Sequence, residues 1–159
     1  KIFMNVVLDV NIVLDLLLKR RSEYEAQSQC FSQLKKVGVP LWFPVCALPT
    51  LDYVHQLEIK RLQRANQISS LLEPKQLSRQ QLDIFMASLN YASSLGAHVA
   101  MIPKTHPDRE DALISLAARE LPGETVIWTY DKHFQSVDSQ ILVYDHVQLL
   151  NLIITGRVR

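Results

Sequence analysis

The stretch VVLDVNIVLD, residues 6–15, decides the fold, because an apolar, β-branched run ends there in a carboxylate and an amide. Such a run is typical of a buried strand. Asp9 and Asn11 come directly after it, and a helical pattern begins behind them. Open α/β sheets place their sites at the carboxyl ends of their strands. We therefore expect Asp9 to be the first member of an acidic, metal-binding cluster.

The composition is that of an ordinary globular domain, with 159 residues, 48% hydrophobic and 21% charged. No apolar run approaches the ~20 residues that a membrane span needs, and the basic start lacks the long apolar region of a signal peptide. We expect residues 1–159 to form a single cytoplasmic domain without a membrane anchor. Cys30 and Cys46 share no metal-type spacing and are expected to be buried, reduced thiols.

The formal net charge of +1 gives no support by itself to a nucleic-acid function. Local basic clusters are better candidates for contacts with phosphate, although a solvated helix end also explains each of them. The two clusters are Lys19-Arg20-Arg21 and Lys60-Arg61 with Arg64.

Strand and helix patterns alternate along the whole chain. Ser22 and Ser78 are expected to cap two of the helices, the first through a capping box with Glu25. The alternation predicts a three-layer α/β/α domain with a central, mainly parallel sheet of about five strands. Strands are expected at residues 5–8, 41–45, 97–102, 126–129 and 141–144, and helices at 13–18, 22–38, 48–68, 78–96 and 108–123.

Three carboxylates stand out by position: Asp9 after the first strand, Asp111 in the first turn of a late helix, and Asp131 after the fourth strand. In a parallel sheet all strands end at the same edge, and the helices that follow them begin there. The three side chains are therefore expected to converge. Asp108 shares a helix face with Asp111, and Asp52 opens the helix after the second strand.

Each of these acids also has a purely structural explanation. Asp9 with Asn11 would suit a helix cap, Asp111 would complement a helix dipole, and Asp131 would suit a turn. If these structural explanations were the whole reason for the acids, their arrival at the same sheet edge would be a coincidence.

Carboxylates that lie together repel, by roughly 3 kcal/mol per ionised pair at ~5 Å and an effective dielectric of 20. Either protons or a cation must neutralise them. Oxygen ligands without paired His or Cys favour Mg²⁺ or Mn²⁺ over zinc. Such a site binds phosphate oxygens, so phosphodiester hydrolysis is the expected chemistry. Thr129 and Asn11 add neutral oxygen ligands or donors that orient ligands and waters.

Three segments, residues 7–15, 108–113 and 126–134, resemble in order and spacing the signature blocks of PIN domains, over essentially the whole chain. The resemblance implies a Mg²⁺- or Mn²⁺-dependent ribonuclease. In bacteria such a protein is most often the toxin of a VapBC-type toxin–antitoxin pair, which implies an antitoxin partner. Homodimers are common among similar proteins.

The resemblance also implies roles for individual residues. Asp9, Asp111 and Asp131 match the metal-binding acids, Asp108 matches a further acidic position, and Thr129 matches a helping hydroxyl. The remaining acid of the family is usually a Glu, where this chain offers the shorter Asp52. Catalysis would then rest on Asp9, Asp52, Asp111 and Asp131, and the RNA backbone would lie on Arg20, Arg21, Lys60, Arg61 and Arg64.

Two other functions stay open at this point. A PIN-fold protein can keep the acidic pocket yet act as a metal- or RNA-binding scaffold without turnover. A receiver-like or phosphatase domain is a third reading, but the acidic pair that it needs is missing. His106 and His133 lie near the expected site, although a metal-activated water needs no histidine base.

Overall fold

The computed structural model describes residues 3–94 and 99–158. Five strands form one sheet in the order β3-β2-β1-β4-β5, and every neighbouring pair is parallel. This confirms the expected parallel α/β sheet. The strands are β1 (Met4–Leu8), β2 (Leu41–Pro44), β3 (Asn90–Ala92), β4 (Glu124–Trp128) and β5 (Leu142–Tyr144).

Helices connect the strands and extend beyond the last of them. A short 3₁₀ turn, Val45–Ala47, leads from β2 into the helix that follows. Within the described residues no helix has the length and apolar character needed to cross a membrane. The helices are α1 (Val10–Leu18), α2 (Tyr24–Lys36), α3 (Leu48–Arg64), α4 (Pro74–Met86), α5 (Arg109–Arg119) and α6 (His146–Ile154).

The central strand β1 is buried along all five of its residues, as expected for a parallel strand that is covered on both faces. It pairs with β4 over its whole length, from Met4 opposite Glu124 to Leu8 opposite Trp128. The chain winds outward from β1 to β3 on one side, and through β4 to β5 on the other. The direction of winding therefore reverses between β1 and β4, and open α/β sheets bind ligands at such a switch point.

The strand expected at residues 97–102 is wrong where the structure describes it. Residues 99–102 form a turn in which the Ile102 N–H donates to the Val99 carbonyl, and residues 97 and 98 lie outside the described residues. The third strand is Asn90–Ala92, inside the helix expected at 78–96. Leu89 and Ala92 are buried and continue the helical spacing of α4, so a three-residue strand left no separate pattern.

Both expected serine caps are also wrong. Glu23, not Ser22, stands at the N-cap of α2, and the Ser22 hydroxyl donates to the Glu23 carboxylate. Ser78 lies inside α4, which begins earlier at Pro74, and its hydroxyl is 2.7 Å from Nδ1 of the buried His55. Helix α6 was not expected, although Asp145 and Gln148 form the capping box that opens it.

A buried ion pair fixes the turn between α1 and α2. Asp15 is fully buried, and its two carboxylate oxygens accept from Nε of Arg20 at 2.5 Å and Nε of Arg21 at 2.7 Å. Gln27, buried on α2, donates to the same carboxylate at 3.2 Å. Asp15 therefore ties both arginines and α2 to the end of α1, which Lys19 terminates at a φ of +49°.

We expect Asp15→Ala to lower the free energy of unfolding by about 2 kcal/mol or more, because it leaves two arginines without their buried partner. Glu58→Ala is the matched control, since it breaks an exposed pair with Arg61 and should cost no more than about 1 kcal/mol. Urea denaturation measures both. Equal losses in the two variants would contradict the structural role of Asp15.

Candidate active site at the β1–β4 edge

Asp9 stands at the switch point, where β1 ends. It is 7% exposed and is the N-cap of α1, with Oδ1 accepting the Val10 N–H at 2.7 Å. Its other oxygen, Oδ2, accepts from the Thr129 hydroxyl at 2.7 Å and from Nδ2 of Asn11 at 3.0 Å. A carboxylate accepts about four hydrogen bonds, so Asp9 keeps roughly one lone pair for a ligand.

Asn11 and Thr129 tie the ends of β1 and β4 together around this carboxylate. Nδ2 of Asn11 also donates to the Thr129 hydroxyl oxygen at 3.2 Å, and Oδ1 of Asn11 accepts the Tyr130 N–H. The Asp131 N–H donates to the Thr129 hydroxyl oxygen at 3.0 Å. These two residues therefore orient Asp9 and the chain that carries Asp131.

Asp111 and Asp131 approach Asp9 from α5 and from the loop after β4. Asp111 is 9% exposed, and its Oδ2 accepts the Gln135 N–H at 3.2 Å. Asp131 is exposed, and its Oδ1 accepts the His133 N–H in a local turn. Asp108 is the N-cap of α5, and its carboxylate accepts the backbone N–H groups of Glu110 and Asp111. The structural explanations of Asp9, Asp111 and Asp131 therefore also hold, since Asp9 is a helix cap, Asp111 lies in the first turn of α5 and Asp131 lies in a turn.

The two buried carboxyls have unusual acidity. Burial raises the pKa of Asp9 from 3.8 to about 6, against the hydrogen bonds from Thr129 and Val10, and the charge of Asp131 adds to the rise. Burial also raises the pKa of Asp111 to about 6, and the charges of Asp108, Asp9 and Asp131 act in the same direction. The charges that contribute most to these two shifts are negative, and among the described residues neither carboxyl forms an ion pair.

Glu110 is a member of this cluster that the sequence analysis missed. Its charge contributes to the raised pKa of Asp9, after burial, and to that of Cys46. The Thr50 hydroxyl, in the first turn of α3, donates to Oε2 of Glu110 at 2.5 Å. Glu110 stands directly before Asp111, and in a helix of 3.6 residues per turn adjacent side chains do not share a face, so helical spacing gave no signal for it.

Asp52 is exposed on α3, and its charge acts on the buried His55. Burial lowers the pKa of His55, and Asp52 opposes that shift. Asp52 is not among the charges that shift the pKa of Asp9 or Asp111. The charge of Glu110 therefore acts on the cluster, whereas that of Asp52 acts on His55.

The basic residues divide into two groups. Arg21 lies beside the cluster, because it lines a cavity together with Asn11 and Asp131. Arg20 shares the carboxylate of Asp15 with Arg21. The other expected RNA contacts are exposed on the C-terminal half of α3, where Arg61 pairs with Glu58: Lys60, Arg61 and Arg64.

Two histidines lie near the site. In the described contacts the His106 side chain forms hydrogen bonds, and the His133 side chain forms none. Nδ1 of His106 accepts the Asp108 N–H at 3.2 Å, and Nε2 lies 3.0 Å from the Gln135 carbonyl, which requires the proton on Nε2. His106 therefore links the backbone at Asp108 to the backbone at Gln135. His133 is exposed.

The carboxylates of the site suit only a cation that needs few protein ligands. Among residues 3–94 and 99–158, no group of three or more His, Cys, Asp or Glu side chains could hold a metal ion. Mg²⁺ does not need three such ligands, since it keeps several waters and binds through one or two carboxylates. Asp9 and Asp111 fit that mode, because both are carboxylates with lone pairs to spare and neither has a basic partner.

We expect Asp111→Asn to stabilise the metal-free protein at about pH 8, where the buried charge costs folding free energy. The pKa of this carboxyl is higher in the folded chain than in the unfolded chain. Its contribution to the stability of the fold is therefore fully present at pH values below the unfolded pKa, and it is lost as the pH rises through about 6. The gain should be about 1 to 2 kcal/mol at about pH 8 and near zero at about pH 4.

Urea denaturation in EDTA at the two pH values measures this difference. The control is Asp83→Asn, at an exposed position on α4. A gain for Asp111→Asn that is the same at both pH values would contradict the assignment of a buried, ionised carboxyl.

No protein-family model and no curated protein matches the chain. Among solved structures, the chain is similar to the crystal structure of VapBC2 from Rickettsia felis bound to a DNA fragment from their promoter. The TM-score is 0.55 and the identity is 14%, over 89% of this chain and 98% of that one. At this identity the likeness concerns the fold alone. The chain therefore shares the five-stranded parallel α/β fold of this PIN-like neighbour.

Proposed function

We propose that this protein is a metal-dependent endoribonuclease that hydrolyses RNA phosphodiester bonds. The supporting observation is the pair of buried carboxyls, Asp9 and Asp111, each with a pKa of about 6 and without an ion-pair partner among the described residues. At neutral pH both are mostly ionised, so the pair attracts a cation. Its position at the switch point of a parallel sheet is where α/β proteins bind ligands.

In this proposal Asp9 and Asp111 hold Mg²⁺ or Mn²⁺, and Asp131, Asp108 and Glu110 add negative charge around them. The bound cation supplies an activated water and stabilises the leaving oxygen. Asn11 and Thr129 keep the Asp9 carboxylate in place through their hydrogen bonds.

The RNA backbone approaches along the basic residues beside the cluster. Arg21 and Lys132 both line the cavity that contains Asp131, so they are placed to meet phosphate oxygens there. Arg20 and the α3 group, Lys60, Arg61 and Arg64, are proposed as more distant contacts.

The proposal extends to a toxin role with an antitoxin partner. Its support is the likeness of fold to VapBC2, which was crystallised bound to a DNA fragment from its promoter. A small DNA-binding protein encoded beside this one would support that extension, and a second copy of this chain is a further candidate partner.

A scaffold that binds metal or RNA without turnover is the second candidate. The observation that favours it is the lack of three enclosing ligands among the described residues. Calorimetric titration with Mn²⁺ beside an RNA cleavage assay separates the two functions, because binding without cleavage would establish the scaffold.

We expect Asp9→Asn combined with Asp111→Asn to reduce metal-dependent RNA cleavage by about a hundredfold or more, because the two substitutions remove the charges that attract the cation. The rate is measured with purified protein on a labelled single-stranded RNA in Mn²⁺ and in EDTA. Asp83→Asn is the matched control and should cleave normally. Unchanged cleavage by the double variant would refute the nuclease assignment to this site.

Glu110 and Asp52 are the two candidates for the remaining acid of the site, and they are tested separately. We expect Glu110→Gln to lower the cleavage rate by about tenfold or more, as for residues that tune a metal site, because its charge acts on Asp9. Asp52→Asn should leave the rate close to that of the unchanged chain. The reverse ranking would show that Asp52 takes the place of the usual Glu.

A further inference from the structure

A larger cavity, of about 680 Å³, adjoins the acidic cluster on the β5 side. It lies between the loop that follows β4 and the start of α6, and Thr129 and Asp131 are part of its wall. Its volume is in the range of small-molecule sites, roughly 300 to 1,000 Å³. A ligand in this cavity would therefore lie directly beside the proposed scissile phosphate.

Aromatic side chains form much of the wall: Tyr130, Phe134 and Tyr144. The Arg21 guanidinium carbon lies 3.9 Å from the centroid of the Tyr130 ring, and the Tyr130 hydroxyl donates to Oε1 of Glu23 at 3.2 Å. Tyr130 also lines the smaller cavity that contains Arg21, so it lies between the two. Arg21 and Glu23 thus hold the Tyr130 ring in place at the wall of the larger cavity.

The charges around the cavity argue against an anion inside it. The wall carries the carboxylates of Glu23, Asp131 and Asp145, and its basic side chain is Lys132, with His146 at the start of α6. A phosphate would meet three negative groups. A neutral, planar heterocycle with N–H donors suits both the carboxylates and the aromatic rings.

Gln148 adds a polar group to the wall that can distinguish ligands. Its Oε1 accepts the Asp145 N–H in the capping box of α6, which fixes the side chain. In the described contacts its Nε2 donates to no protein group. A carbonyl or ring nitrogen on a ligand would complete that donor.

We infer that this cavity binds one nucleobase of single-stranded RNA, stacked on Tyr130 and Tyr144, while the attached phosphodiester lies at Asp131. The inference rests on the proposed function, since it names the substrate class of the same site. The base enters the cavity and the phosphate stays at the cluster, so the cavity selects which nucleotide adjoins the cleaved bond.

The test uses short single-stranded RNAs made of A, C, G or U alone, and versions of the best binder with one abasic position at a time. Fluorescence anisotropy in EDTA measures binding without cleavage, in chains that also carry Asp9→Asn and Asp111→Asn, because these substitutions remove carboxylate charges that would repel the RNA phosphates when no cation is present. We expect one abasic position to weaken binding by about tenfold, the usual scale for one stacked base. Tyr144→Ala should weaken the intact RNA to a similar extent and abolish the abasic effect, whereas Tyr144→Phe should restore both.

Tyr91→Ala is the matched control, because this exposed tyrosine lies on β3, at the opposite edge of the sheet from Tyr144. It should keep the full abasic effect. Thermal unfolding followed by circular dichroism checks that each variant is folded.

A second pair of variants covers the case in which Tyr144→Ala does not fold. Val147 is 52% exposed and lines the cavity, and Ile154 is 78% exposed at the far end of the same helix. Val147→Glu places a hydrated carboxylate where the base would lie and should abolish the abasic effect. Ile154→Glu makes the same change of charge and should retain it.

The outcomes separate this inference from the function on which it rests. If RNA is bound and cleaved but no abasic position matters, or if the effect is equal in all variants, the cavity is not a base site and the nuclease proposal stands. If RNA is neither bound in this assay nor cleaved in Mn²⁺, both fail. An abasic effect that Val147→Glu removes and Ile154→Glu retains supports the inference.

Discussion

The Asp9 carboxylate is the feature on which the candidate site depends. It accepts hydrogen bonds from Val10, Asn11 and Thr129, and the last of these lies 120 residues away in the chain. The bond from Thr129 forms only when β1 and β4 pair with Leu8 opposite Trp128. A slip of one residue would turn each side chain of β4 to the other face of the sheet and carry Thr129 away from Asp9. The site is therefore a direct product of the strand register.

The three buried carboxylates in the described part of the chain fall into two kinds. Asp15 is fully buried and is neutralised by Arg20 and Arg21. Asp9 and Asp111 are almost as buried, yet the charges that act on them are negative. A buried charge without a partner is costly, so a fold keeps one mainly where a ligand provides the partner. This contrast separates the structural acid from the candidate functional acids.

Sequence reasoning succeeded where a signal was long or repeated. The apolar runs before Asp9 and Asp131 predicted β1 and β4, and with them the common edge at which the acids lie. It failed for β3, since three residues at the end of a helical pattern carry no period of their own. Glu110 was missed for a related reason: its contact with Thr50 on α3 is tertiary, and helical spacing alone does not reveal it.

The fold keeps the two unpaired carboxyls ionised despite their burial. Asp108, Glu110 and Asp111 stand at the N-terminus of α5, where the positive end of the helix dipole offsets part of their repulsion. Hydrogen bonds from Thr129 and Val10 hold the pKa of Asp9 to about 6, and the Gln135 N–H acts in the same way on Asp111. Without those donors, burial would raise both pKa values further and protons would occupy the site at neutral pH. These hydrogen-bond donors therefore keep both carboxyls ionised at neutral pH, so that their negative charge can attract a cation.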